Sequence, residues 1–248
     1  VNEFAFYLLL VLAGFLAGII NTIAGGGSFL TLPALLLFGL DPQAANATNR
    51  IAILMSTGSA TVAFHRKGYW DHRLALRLGT PILLGVPFGT ALAIYLPADS
   101  FRQVFGVLFL AMAGLLVSNP KRLLDAPSQP KLSARWQLLA FFAIGIYVGF
   151  IQAGFGILML LAMGFFCDTN LVSSNAIKSS IGFVVTLSAA IFFAFYGLIE
   201  WVPGLFMAFG NVLGGITGAK LAIEKGSRFV FYFLVVVMTV TGFKLVLT

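Results

Sequence analysis

Charge is scarce in this chain. Of 248 residues only 9% are charged, eight acidic and fifteen basic, where a soluble domain carries about 25%. Hydrophobic residues make up 60%, and mean hydropathy is +1.01. So few charges cannot shield so much apolar surface from water, which excludes a soluble globular domain, and the same composition excludes disorder. The isoelectric point is near 9.8, but cations scattered through an apolar chain make no basic face, so no nucleic-acid partner is expected. Cys167 is the single cysteine, which excludes an intrachain disulfide and a thiolate metal site. His65 and His72 flank a basic loop and belong to no metal-ligand cluster, and no cofactor is expected. A Walker A lysine motif, HExxH and GxSxG are all missing, so neither ATP hydrolysis nor intramembrane hydrolysis has support, and an enzyme is not expected. What remains is an all-α, polytopic helical membrane protein. Its 27 glycines suit spans packed closely through small residues. Val1, Asn2 and Glu3 supply no positive n-region, so the first apolar segment reads as a retained helix rather than a signal peptide.

Ten apolar segments can be marked. Five run over 4–24, 28–40, 43–64, 74–96 and 100–118, and five over 136–153, 157–167, 171–196, 201–223 and 228–247. A polar stretch with Pro120, Pro127 and Pro130 separates the sets. The second segment of each set is too short to cross a hydrocarbon core of about 30 Å unaided. Sliding the chain by 129 pairs Gly25 with Gly154, Gly27 with Gly156, Asn46 with Asn175, Thr57 with Thr186, Gly68 with Gly197 and Gly89 with Gly218. Upstream, an offset of 131 pairs Gly14 with Gly145, Gly18 with Gly149 and Asn21 with Gln152. The chain therefore reads as a repeat over 1–118, a connector over 119–135 and a second repeat over 136–248.

Lys and Arg cluster in three loops: Arg66, Lys67, Arg73 and Arg77; Lys121, Arg122, Lys131 and Arg135; and Lys220, Lys225 and Arg228. These eleven of fifteen cations place the three loops in the cytoplasm. The basic loop at Gly68 has as its repeat mate the loop at Gly197, which holds only Glu200. Equivalent loops thus fall on opposite sides, the mark of an inverted-topology repeat. Each repeat then has five segments: three long helices plus a pair broken at a glycine-rich turn near the midplane. Both termini are expected outside.

The break in the first repeat is Asn21-Thr22-Ile23-Ala24-Gly25-Gly26-Gly27-Ser28, and its mate is Gln152-Ala153-Gly154-Phe155-Gly156. Irregular backbone at membrane depth is tolerated where it lines a cavity or is buried in protein. A helix starting after each break presents free N–H groups that favour an anion. The competing reading is that these glycines serve only close packing. Behind the breaks, Asn46, Asn49 and Arg50 share one helix face, as do Asn175, Lys178 and Ser179 in the second repeat. Arg50 and Lys178 are cations well inside predicted spans, a pattern that marks functional sites, although each lies near enough to a helix end to snorkel. Asp41-Pro42 and Asp168-Thr169 read as helix N-caps. All eight acids and both histidines fall at segment ends or in loops, so no proton relay in mid-membrane is expected.

From Ala17 to Leu35, including Asn21-Thr22-Ile23-Ala24-Gly25-Gly26-Gly27-Ser28, the chain resembles the sulfite exporter TauE/SafE family of membrane transporters. Ala44-Ala45-Asn46-Ala47-Thr48-Asn49-Arg50, the stretch from Gly149 to Gly156, and Asn175-Ala176-Ile177-Lys178 carry the same likeness. The resemblance implies a bacterial-type inner-membrane permease for sulfite, a sulfonate or a related organosulfur anion, working by alternating access around a midplane site. Transport of another small anion such as a carboxylate, or a non-transporting scaffold or sensor role, stays open, as does a homo-oligomer. The candidate substrate-binding residues are Asn21, Gly25, Gly26, Gly27, Ser28, Asn46, Asn49, Arg50, Gln152, Gly154, Gly156, Asn175 and Lys178. Phe155 stands where the first repeat has Gly26, and Lys178 aligns with Asn49, so the two half-sites are not expected to be equivalent.

Overall fold

The computed structural model describes residues 3–97, 99–101, 103, 104, 107, 108, 134–167 and 169–247. Most of the expected segment 100–118, most of the connector, and Asp168 lie outside the described residues. Eight helices are described: α1 (Glu3–Ile23), α2 (Ser28–Leu37), α3 (Pro42–Arg66), α4 (His72–Tyr95), α5 (Ala134–Phe150), α6 (Phe155–Phe166), α7 (Leu171–Phe195) and α8 (Trp201–Leu247). No strand occurs among the described residues. Ala5–Ile23, His72–Tyr95, Leu171–Phe195 and Trp201–Lys225 are long and apolar enough to cross a membrane. At 25 residues α3 has the length to cross as well, but Asn46, Thr48, Asn49 and Arg50 make its first half polar. Those four side chains are all buried.

This distribution inverts that of a water-soluble protein. Leu8, Leu12 and Leu16 of α1, Leu84, Phe88 and Leu92 of α4, and Phe206, Phe209 and Leu213 of α8 face outward, where lipid is their solvent. The polar groups are gathered inside, because hydrocarbon offers them no hydrogen bonds.

Helix limits recur along the chain. α3 and α7 each have 25 residues, and both ends differ by 129 positions. α2 and α6 end 129 apart, α4 and α8 start 129 apart, and α1 and α5 start 131 apart. Left-handed glycines follow the same offset, Gly25 with Gly154 and Gly68 with Gly197. Packing is exchanged between the halves: α1 runs along α8 and α5 along α4, while α3 and α7 cross each other. Each long pairing is a close backbone contact through glycine. Cβ atoms at Gly14 and Gly210 would meet the carbonyls of Met207 and Val11; at Gly85 and Gly145 they would meet those of Phe142 and Ile82.

The starts of three helices have a local cause. Asp41 caps α3 by accepting from Gln43 N (2.9 Å) and Ala44 N (3.0 Å), with Pro42 in the first turn. Asp71 caps α4 through Arg73 N and Leu74 N. The cap of α7 is Asn170, accepting from Ser173 N at 2.9 Å, two residues beyond the Asp168 read as a cap from sequence. The expected loop between segments 201–223 and 228–247 is also revised, since α8 runs unbroken for 47 residues. Around the expected loop, Glu224, Lys225 and Arg228 favour helix, and the lone Gly226 costs only about 1 kcal/mol there. An exposed Lys220–Glu224 pair lies on the same stretch. A helix of that length spans about 70 Å, so only part of it fits within a bilayer.

Glycine at a crossing and glycine in open space should respond oppositely to a methyl group. At Gly89 a Cβ would meet Ile146 O and lie 2.7 Å from Phe150 N, both backbone, while at Gly164 within α6 nothing lies within 4 Å. Gly89→Ala should lower stability by about 1–3 kcal/mol, and Gly164→Ala should raise it by about 0.5–1 kcal/mol. Thermal unfolding in detergent, followed by tryptophan fluorescence, reads both; a Gly89→Ala protein melting with the wild type would contradict the α4–α5 crossing.

Candidate functional site

The two chain breaks meet. A Cβ on Gly25 would collide with the backbone of Gly156 and stand 2.7 Å from Ile157 N; one on Gly156 would collide with Gly25 Cα and lie 3.1 Å from Lys178 Cδ. Gly25 turns with φ +82° and Gly154 with φ +73°, a region that L side chains avoid. Gly27 presses on Ala17 O and on Asn21 Cβ, whereas a Cβ at Gly26 would make only ordinary contacts, at 3.4 Å, with Ile157 and Phe29.

Each break ends one helix and begins another, and the ends are treated differently from the starts. The carbonyl end of α1 is capped by Lys178 of α7, whose Nζ donates to Asn21 O (3.1 Å), Thr22 O (2.8 Å) and Asn175 Oδ1 (2.6 Å). Those three bonds use every ammonium donor. The carbonyl end of α5 is capped by Arg50 of α3, which donates through Nη1 to Val148 O (2.6 Å) and Gln152 Oε1 (3.2 Å), and through Nη2 to Gly149 O (2.9 Å). Its guanidinium lies 5.2 Å from the centre of the Phe193 ring. The negative end of a helix dipole favours such cations. Arg50 is 0% and Lys178 3% exposed, so neither snorkels to the surface. Among the described residues neither has a carboxylate partner. The starts of α2 and α6, at Gly27 and Gly154, have no side-chain cap, unlike those of α3, α4 and α7.

The remaining candidates join the same polar layer. Asn46 Nδ2 donates to Phe150 O (2.9 Å), Asn49 Nδ2 to Ser28 Oγ (3.3 Å), and Gln152 Nε2 to Thr186 Oγ1. Five buried side-chain polar atoms have no partner among the described residues: Thr22 Oγ1, Asn49 Oδ1, Arg50 Nε, Ser56 Oγ and Asn175 Nδ2. All but Asn49 Oδ1 can donate. A small cavity opens between the halves, lined by Asn21, Thr22, Ile53, Thr57, Gln152, Phe155, Gly156, Lys178 and Ser179. It leaves ≈ 10 Å³ for the centre of a water molecule, about one water. Asn21, Gln152, Gly156 and Lys178 of the sequence-derived set thus share one wall, while Ser28, Asn46, Asn49 and Arg50 sit behind it. Thr57 and Thr186 were visible in sequence as repeat mates. Tyr147, whose hydroxyl donates to Ala153 O at 2.6 Å, carried no signal within its apolar run.

An all-helical membrane protein with buried polar residues gathered at two touching helix breaks has the build of a transporter. The family model for "Sulfite exporter TauE/SafE" matches residues 10–245. The chain belongs to that family, and it is a membrane transporter embedded in the lipid bilayer. Among its relatives, "Probable membrane transporter protein ORF9" of Sinorhizobium sp is 29% identical over 98% of this chain and 94% of its own length. "Probable membrane transporter protein YfcA" of Escherichia coli K12 is 29% identical over 96% and 88%. A "Probable membrane transporter protein" of Haemophilus influenzae is 31% identical over 96% and 93%.

Three neighbouring glycines should separate by geometry. Gly25→Ala and Gly156→Ala force backbone apart and should each cost about 1–3 kcal/mol, seen as lost membrane yield and a lower melting temperature. Gly26→Ala should stay within about 0.5 kcal/mol of the wild type. Equal tolerance at all three positions would mean that the breaks do not touch.

Proposed function

We propose that the chain carries a small sulfur-containing oxyanion, such as sulfite or a sulfonate, across a bacterial inner membrane by alternating access between two inverted repeats. The observation that carries this reading is the pair of buried, carboxylate-free cations, Arg50 and Lys178, beside two helix starts without side-chain caps. A buried positive centre is costly unless it is compensated. Helix carbonyls compensate it in part, and an anion completes the balance. Of the unpartnered donors, Thr22 Oγ1 belongs to a residue that lines the cavity and Asn175 Nδ2 to the side chain that holds Lys178; both suit the oxygens of an oxyanion. The cavity is too small for sulfite, so the conformation described is a closed one. Binding then exchanges a helix carbonyl for substrate oxygen at Lys178, which loosens the end of α1 as the anion settles.

The recurring helix limits and exchanged packing support the division into 1–118 and 136–248 as inverted repeats. Two equivalent breaks that touch must lie close to the axis relating them, which supports a midplane site. The loop equivalence supports it too. Residues 68–71 adjoin 169–173 at one end, and Arg66 and Lys67 share a groove with Lys220. At the other end Gln43 Nε2 donates to Ala93 O and Leu96 O, and Glu200 N to Thr48 Oγ1.

Proteoliposomes test the substrate. Labelled sulfite should enter, with unlabelled sulfite competing better than acetate or sulfate. Arg50→Ala and Lys178→Ala should each weaken apparent affinity by about 10- to 150-fold, the loss of a charge-assisted bond of roughly 1.5–3 kcal/mol. An imposed potential alone should drive flux, at about 2.3 kcal/mol per charge per 100 mV. Acetate winning the competition would make this a carboxylate carrier, and flux that requires a proton gradient lost in Asp41→Asn would refute a relay-free mechanism.

Orientation is tested separately. With Cys167→Ala as background, Lys67→Cys should react with an impermeant thiol reagent only after the cytoplasmic face is opened, and Glu200→Cys should react in intact cells. The reverse pattern would invert the topology, including the placement of the N-terminus outside; the expected return of the chain to the outside after Lys225 does not survive the unbroken α8.

A further inference from the structure

The two half-sites differ most in bulk. Phe155 stands where the first repeat has Gly26, and Gly182 stands where it has Ile53. The exchange is complementary: a large residue at the second break faces a residue without a side chain on the helix behind it. Phe155 Cε1 lies 3.3 Å from where a Cβ on Gly182 would be, and Thr57 Cγ2 is equally near that point. The ring therefore fills the crossing of α3 and α7 that Gly182 leaves open. Phe155 is 5% exposed, and it lines the cavity together with Lys178, Ser179, Thr57 and Gln152. Gly182 lies one turn beyond Lys178 on the same face of α7, so the ring occupies space directly along the helix from the cation.

We propose that the Phe155 ring is the plug that keeps this cavity closed and the group that sets the largest anion the site admits. The inference rests on the anion-carrier reading for its selectivity but not for its steric content. Phe155 is the largest apolar side chain in the lining, and four of its neighbours there are tied down. Lys178 and Gln152 are held by hydrogen bonds, and Gly156 is backbone pressed on backbone. Ile53 is fixed on a continuous helix. Phe155 sits in the first turn of α6 beside the left-handed Gly154, so a change at the break swings the ring as a unit. A sulfur with three oxygens needs space the ring now takes; a longer sulfonate needs more than a moved ring provides.

Two measurements separate the plug from the transport reading. In a Cys167→Ala background, Ser179→Cys places a thiol on the cavity wall. Its reaction with a small methanethiosulfonate reagent in detergent should be slow. Adding Phe155→Ala should speed it at least tenfold, whereas Phe155→Leu, which keeps an apolar side chain of some bulk, should leave it slow. Equal rates in the Phe155→Ala and Phe155 proteins, both monodisperse, would overturn the plug. In proteoliposomes the protein with Phe155 should favour sulfite over 2-hydroxyethanesulfonate by about tenfold or more, the discrimination expected for added methylene bulk, and Phe155→Ala should bring the ratio close to one. Faster thiol reaction with an unchanged ratio would confine Phe155 to closing the cavity and refute its role in size selection. If neither anion moves in the Phe155 protein while the thiol rates differ as expected, the anion-carrier reading fails and the plug stands.

Discussion

The arrangement depends on one reciprocal contact. The third helix of each half reaches across to cap the broken helix of the other, Lys178 holding the carbonyl end of α1 and Arg50 that of α5. In a bilayer the carbonyls at a helix end have no water to turn to, and a buried cation has none either. Each need answers the other, so breaks that would be ruinous in isolation become stable. The contact between Gly25 and Gly156 follows from it, since helices pinned at their ends by opposite halves bring the two turns together.

That exchange makes the centre both stable and incomplete. A helix terminus carries only about half an elementary charge, so a terminus by itself does not fully balance an ammonium or guanidinium group held against it. Several donors around them also lack partners. A soluble protein would fill such positions with carboxylates or bury hydrocarbon instead. On the proposed reading an anion would satisfy that deficit, and its arrival would disturb the capping bonds because Lys178 already uses all three donors.

Much of this was legible from residue order. Offset matches such as Asn46 with Asn175 predicted paired helices, and α3 and α7 prove equal in length with both ends shifted by the same 129 residues. The first glycine break was found because three successive glycines disfavour helix, and the second because it is the mate of the first at the 129-residue offset. Asp41 capped as expected because an N-cap is a local event. The cap at Asn170 and the unbroken α8 were misjudged because a helix continues or stops by margins of about 1 kcal/mol, which neighbouring packing overrides. Gly26 stood in the candidate set on the strength of its neighbours, yet only Gly25 and Gly27 press on backbone.

Composition and periodicity by themselves determined that this chain is a helical membrane protein. In hydrocarbon every backbone group must be bonded within the protein, and an unbroken apolar run of about 20 residues achieves this as a helix. Residue order also located the two glycine breaks and the polar residues beside them, though not the continuity of α8. What those polar residues hold was decided only in three dimensions. Arg50 and Lys178 looked like free cations or snorkelling ones, and are neither, because their partners are backbone carbonyls about 100 and 156 residues away. Backbone atoms are the same in every residue, so no sequence pattern announces them; only the crossing of the two halves brings them within reach.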